Sequence, residues 1–183
     1  SSPVPEPQQG NLSQVERVGP WMLIGGRLGR GGQGDVTLVR HALTLERGAL
    51  KQMTGKRALT EMGHQRFLRE IEAFQRIEHP FVVKILDAAD STEPYLVTEV
   101  ADFGSLNDNR DAFNGDVWRS LRTMRSIALG LGAAHAANII HRDIKPKNIL
   151  LQSLDHPLVA DFGIAHFADM DTLTSLGSNP GAF

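Results

Sequence analysis

Apolar and polar positions change their spacing several times along the chain, and the changes divide it into parts. Residues 1–20 are Ser-, Pro-, Gln- and Gly-rich with little apolar content and no period, which predicts a disordered leader. From Trp21 to about residue 53, short apolar or β-branched runs alternate with glycine-rich and polar turns. Val36-Thr37-Leu38-Val39 and Ala49-Leu50-Lys51 are two such runs, so this stretch reads as strand, glycine turn, strand, loop, strand. The spacing then becomes helical, with Phe67, Ile71, Phe74 and Ile77 on one face of a helix expected over residues 61–77. Two short strands are expected near 82–86 and 95–98, then a linker at 99–104 and a longer helix over 117–137. Pro157-Leu158-Val159-Ala160 reads as one more short buried strand. No internal repeat interrupts this order.

Composition narrows the function classes. The chain has 183 residues with 41% hydrophobic content, enough for a real core. Nineteen basic against twenty-one acidic residues leave a formal charge of −2 and no basic stripe, so nothing argues for nucleic acid or an anionic membrane surface. The absence of cysteine excludes disulfides and thiolate metal sites and fits a reducing, cytoplasmic setting. The seven histidines lack metal-ligand spacing. The most apolar stretch, residues 127–140, is broken by His135 and Asn138 and is too short to span a membrane.

Chemistry concentrates in His141-Arg142-Asp143-Ile144-Lys145-Pro146-Lys147-Asn148 and in Asp161-Phe162-Gly163, which begins eighteen residues after Asp143. Asp143 can accept or orient the proton of an incoming hydroxyl, and Lys145, two residues on in an extended loop, falls on the same side to offset phosphate charge. Asn148 and Asp161 offer the hard oxygen ligands that Mg²⁺ prefers. Asp102-Phe103-Gly104 repeats the second motif, but it precedes the His-Arg-Asp run and lies in the linker. Asp161 instead follows the buried strand, which delivers its carboxylate to the strand end.

Leu28-Gly29-Arg30-Gly31-Gly32-Gln33-Gly34-Asp35-Val36 carries G-x-G-x-x-G and runs into a strand, unlike a dinucleotide-binding turn, which opens a helix. Without side chains at Gly29, Gly31 and Gly34, backbone N–H groups can approach phosphate oxygens. Gly55-Lys56 lacks both the upstream glycine and the following Ser or Thr of a P-loop. On the helix, Glu70 falls between Phe74 and Ile77 inside the apolar face, where an unpaired carboxylate costs several kcal/mol. Lys51 on the third strand is its natural partner.

These motifs together resemble those of the eukaryotic-type serine/threonine protein kinases, with the Lys-Pro-x-Asn ending of that branch. The resemblance covers residues 21–183 and implies an α+β, two-lobed fold. Residues 21–98 would form a small lobe of antiparallel sheet plus one helix, and 99–104 a hinge. Residues 105–183 would be part of a helical large lobe, incomplete and ending in the activation segment. It also implies the Lys51–Glu70 ion pair, Val36 and Ala49 above an adenine with Leu150 below, and Leu28 in the loop over the nucleotide. Thr98 would guard the back of the pocket, the backbone of Glu99 and Ala101 would hydrogen-bond the base, and Ser105 would face the ribose. Arg142 would receive a phosphate on the loop after Asp161, where Thr172, Thr174 and Ser175 are candidate acceptors, autophosphorylation included. The activity implied is ATP- and Mg²⁺-dependent phosphorylation of Ser or Thr in protein substrates. The alternative is a catalytically inactive, nucleotide-binding regulator of the same fold.

Overall fold

The computed structural model describes residues 16–31, 34–52, 69, 71–89 and 94–162, with 27, 29–31 and 34–35 described by backbone alone. Its first feature is a small hairpin. β1 (Arg17–Val18) turns through Gly19, whose φ of +55° is the left-handed conformation glycine takes without strain, and pairs with Trp21–Met22 of β2 (Trp21–Gly31). β1 thus falls inside the stretch read from sequence as a leader.

β3 (Gly34–His41), β4 (Arg47–Gln52), β5 (Ile85–Ala89) and β6 (Tyr95–Thr98) complete a six-stranded antiparallel sheet in the order β1-β2-β3-β4-β6-β5. The strand expected at 82–86 begins later, at Ile85. Val82 instead bridges in parallel to Val159, because its backbone is drawn into the second sheet.

Strand periodicity sorts this sheet into two faces. Val39, Leu50, Tyr95 and Val97 point outward and are buried with Trp21 in one apolar cluster. The approach is close enough to require glycine at position 48, where an added Cβ would lie 2.4 Å from Val97 Cγ1. The alternate positions pair as Val36 with Lys51, Lys51 with Leu96, and Ala49 with Thr98, so these five share the opposite face.

Helix α1 is described over residues 71–75; Ile71 and Phe74 are buried as the helical spacing requires, while Phe67 lies outside the described residues. After the 99–104 connector, a 3-10 turn (Arg110–Phe113) leads to α2 (Val117–Ala136), which matches the expected helix. The Asp116 side chain accepts from Arg119 N–H at the start of α2. The helix ends in a Schellman motif: Asn138 N–H bonds to His135 O and Ile139 N–H to Ala134 O, with Asn138 at φ +60°. β7 (Ile149–Ser153) and β8 (His156–Val159) form a two-stranded hairpin beneath the connector. A second apolar cluster runs from Phe74 through Val82, Val83 and Ala134 to Ile149, Val159 and Phe162, joining both lobes.

Candidate functional site

Five separate pieces of chain converge between the lobes. β4 supplies Lys51, its side chain 13% exposed, on the same sheet face as Val36 and Ala49. The connector is held by Glu99 N–H bonding to Lys84 O at 3.0 Å, and the Glu99 carbonyl accepts the Thr98 hydroxyl at 3.3 Å. Just beyond it, Phe103 N–H bonds to Leu151 O, Leu151 N–H to Gly104 O and Leu106 N–H to Ile149 O. This zipping sets half-buried Leu150 of β7 beside the connector that carries Ala101. Asp102 binds Arg47 at 2.6 Å on the connector's exposed edge, far in role from its namesake Asp161.

The loop after α2 carries the charged groups. His141 is 2% exposed, and the sequence reading gave it no role. Its Nε2–H donates to Ala160 O at 2.8 Å, while Nδ1 accepts from Asp143 N–H at 3.3 Å. One imidazole thus ties the loop at Asp143 to the end of β8, next to Asp161. The only hint in the sequence is its place two residues before the acid. Asn148 adds a second tie: its Nδ2 donates to Asp143 O at 2.7 Å and to Asp143 Oδ2 at 3.0 Å, and Ala160 N–H bonds to Asn148 O. With its amide nitrogen committed, Asn148 has its side-chain oxygen available as a ligand.

Lys145 Nζ lies 2.6 Å from Asp143 Oδ2, as the two-residue spacing implies. The hydrogen bond from Lys145 is the largest cause holding the Asp143 carboxyl below its ordinary value, with Asn148 contributing and partial desolvation opposing. Asp143 is therefore ionised at neutral pH and is a weak base. Asp161 has φ +54° and places Oδ1 2.8 Å from Lys51 Nζ. Arg142, exposed, has φ +65°. Left-handed backbone at two non-glycine residues of one site is strain of about 1–3 kcal/mol each that the surrounding bonds must hold.

Glu70, Gly163, Thr172, Thr174 and Ser175 lie outside the described residues. Of the glycine loop, the backbone pairs Gly29 with Val36 and Gly31 with Gly34, and Leu28 is half-exposed above. Ser105 is buried and donates to Asp108 Oδ2 at 2.6 Å, so its hydroxyl is engaged in a turn rather than turned toward a sugar. That hydrogen bond is the first cause of the lowered pKa of Asp108, a residue the sequence reading passed over.

Among the described residues no cluster of three or more His, Cys, Asp or Glu side chains is placed to hold a metal. The side-chain oxygens of Asn148, bonded to Asp143, and of Asp161, next to the Ala160 that bonds to Asn148 O, are of the kind that fits Mg²⁺, which keeps several waters and takes its remaining oxygens from phosphates. Lys51 Nζ already bonds to Asp161 Oδ1.

An amine, two carboxylates, an amide and a glycine hairpin assembled between a curled sheet and a helical lobe invite comparison with known proteins. The protein kinase domain family matches residues 23–179. The chain belongs to the protein kinase family. The kinase chain is 38% identical to Aurora kinase B of Drosophila melanogaster over 76% of its own length and 44% of that protein's. It is 33% identical to the serine/threonine-protein kinase PknH of Mycobacterium bovis over 85% of its length and 26% of that protein's. It therefore spans less than half of these curated relatives. Its fold matches a crystal structure of the Mycobacterium tuberculosis PknI kinase domain with a TM-score of 0.69 at 24% identity, covering 84% of this chain and 63% of that one. No helix among the described residues is long and apolar enough to cross a membrane.

Proposed function

We propose that this protein transfers the terminal phosphoryl group of ATP to Ser or Thr hydroxyls of proteins. The observation that carries the reading is the two-sided electrostatic frame: Lys51 on Asp161 from the small lobe, and Lys145 with Asn148 on Asp143 from the large one. In this reading the adenine lies between Val36 and Ala49 above and Leu150 below, hydrogen-bonded to the backbone of Glu99 and Ala101. The hairpin from Leu28 through Gly29, Gly31 and Gly34 covers the phosphates with backbone N–H groups.

Lys51, held on Asp161, anchors the phosphate chain, with Glu70 as the partner the kinase pattern assigns it. Asn148 and Asp161 would hold Mg²⁺, whose charge would offset that of the phosphates. Asp143 accepts a hydrogen bond from the acceptor hydroxyl and so turns a lone pair of that hydroxyl oxygen along the line of attack, while Lys145 offsets charge on the group in transit. A depressed Asp143 pKa suits a loose transition state, in which the hydroxyl keeps its proton until late. Arg142 is the receptor for a phosphate on Thr172, Thr174 or Ser175, added by the protein itself or by another kinase, which would order that loop. Absence of cysteine supports work in a reducing, cytoplasmic setting.

Incubation with labelled ATP, Mg²⁺ and a generic protein substrate tests the proposal, with Lys51→Met and Asp143→Asn as controls. Transfer by the unsubstituted protein alone is the expected result. Magnesium-dependent nucleotide binding with no transfer by the full-length protein would turn the reading to a regulator.

A further inference from the structure

A cavity of about 490 Å³ opens between the end of α1 and the β7–β8 hairpin, and of the residues assigned above it shares only Glu99 with the phosphoryl-transfer site. Its size is that of a small-molecule pocket. It is also preformed. Val83 N–H bonds to Val159 O and Val159 N–H to Phe81 O, locking the 81–84 segment to the large lobe. The Glu99 carboxylate accepts Lys84 N–H at 2.7 Å, and His156 Nε2–H donates to Pro80 O at 2.8 Å, so walls from both lobes are fastened to one another.

The lining has a definite chemical bias. Phe74, Ile77 and Leu158 supply an apolar surface. The imidazoles of His79 and His156 line it as well, and each is held in place by packing on Phe81 behind them, with centroids 5.6 and 5.4 Å away. Glu78 and Glu99 bring two carboxylates against one ammonium, that of Lys84. A mixed wall with excess negative charge and an aromatic side selects a cation with an aromatic body.

We propose that this cavity is a second ligand site, taking a small aromatic ammonium compound, and that its occupancy is felt in the nucleotide cleft. Two contacts carry the coupling. Glu99 belongs to both sites, and the Phe74 ring lies 4.5 Å from that of Phe162, the residue after Asp161. Binding at the site requires neither nucleotide nor catalysis, so its failure and that of the kinase reading are separable.

The test titrates the full chain without nucleotide, using tryptamine as the cationic probe and indole-3-acetate as its charge-reversed counterpart, followed by protein NMR. Tryptamine is expected to shift resonances of Ile77, His79 and His156 and to bind at least about tenfold more tightly than indole-3-acetate. Glu78→Lys should remove most of that preference, and Gln152→Trp, which fills the mouth, should weaken both probes. Saturating tryptamine should change the apparent Kd for ATP about threefold or more. Equal binding of the two probes, shifts confined to Lys51 and Asp161, or no binding at millimolar tryptamine overturns the site. An unchanged ATP affinity overturns the coupling.

Discussion

The two apolar clusters bury similar residues but are put together in opposite ways. The outer cluster, Trp21, Val39, Leu50, Tyr95 and Val97, comes from a single sheet, in which β2, β3 and β4 follow one another through short turns and β6 returns beside β4 after α1. Its polar element is Asp87, which accepts Trp21 Nε1–H at 2.7 Å and Tyr95 O–H at 3.0 Å. The inner cluster, from Phe74 to Phe162, gathers residues from α1, α2, β5, β7, β8 and the 82–83 segment, and it is lined by the imidazole that fastens Asp143. Burial in the first stabilises a sheet. Burial in the second also sets the positions of the candidate site's atoms, so losing packing there costs geometry as well as stability.

The largest effect expected falls at the inner cluster's charged margin. Asp143→Asn should lower phosphoryl transfer about 10²- to 10⁴-fold, with little change in the denaturation midpoint. Transfer within a few-fold of the unsubstituted protein, measured with labelled ATP, would remove Asp143 from its assigned place.

Next come truncations within each cluster. Trp21→Ala and Phe162→Ala should each cost about 3–5 kcal/mol of stability. Only the second should also weaken nucleotide binding per folded molecule. If urea titration and nucleotide titration move together for Trp21→Ala, the division between the clusters is wrong.

The outer cluster should also respond to alkaline pH. Burial, then the hydrogen bond to Asp87 and its charge, push Tyr95 from 10.0 up to about 12. A raised folded pKa stabilises the protein below the unfolded value. That contribution is lost as pH rises from about 10 to about 12, up to about 2–3 kcal/mol at 1.36 kcal/mol per unit. Tyr95 is the chain's one tyrosine, so phenolate absorbance reports it alone, and a midpoint near 10 would contradict the burial argument.

Gly48→Ala should cost about 1–3 kcal/mol by overpacking, because the new methyl would sit 2.4 Å from Val97 and 3.0 Å from Trp21. A thermal melt unchanged from that of the parent would mean the sheet relaxes freely there.

The smallest effect is on Asp143 itself. Its pKa is depressed, so its contribution is present above the ordinary value of 3.8 and disappears as pH falls through the lower folded value. Lys145→Met removes the largest cause and should move the carboxyl ¹³C titration of Asp143 upward; no movement would show that Lys145 does not set it.

Much of the site was readable from the chain because it rests on short-range rules. Alternation along β4 places Ala49 and Lys51 on one face and Leu50 on the other, whatever the strand packs against. The two-residue step from Asp143 to Lys145 likewise sets their pairing locally. Less local features could not be read. Trp21 and Asp87 are sixty-six positions apart, and no spacing rule joins them. The shift of Val82 out of β5 follows from Val159, which enters the fold much later in the chain.

The sequence alone therefore determined the residue types, the strand and helix periods and the order of the charged groups, since each depends on neighbours a few positions away. Tertiary structure alone decided that Lys51 bonds to Asp161, how His141 clamps Asp143, and that a cavity opens behind Glu99. Those outcomes come from contacts between segments far apart in the chain. Their energy depends on burial and backbone angles, such as φ +54° at Asp161, that exist only once both lobes have closed on the same core.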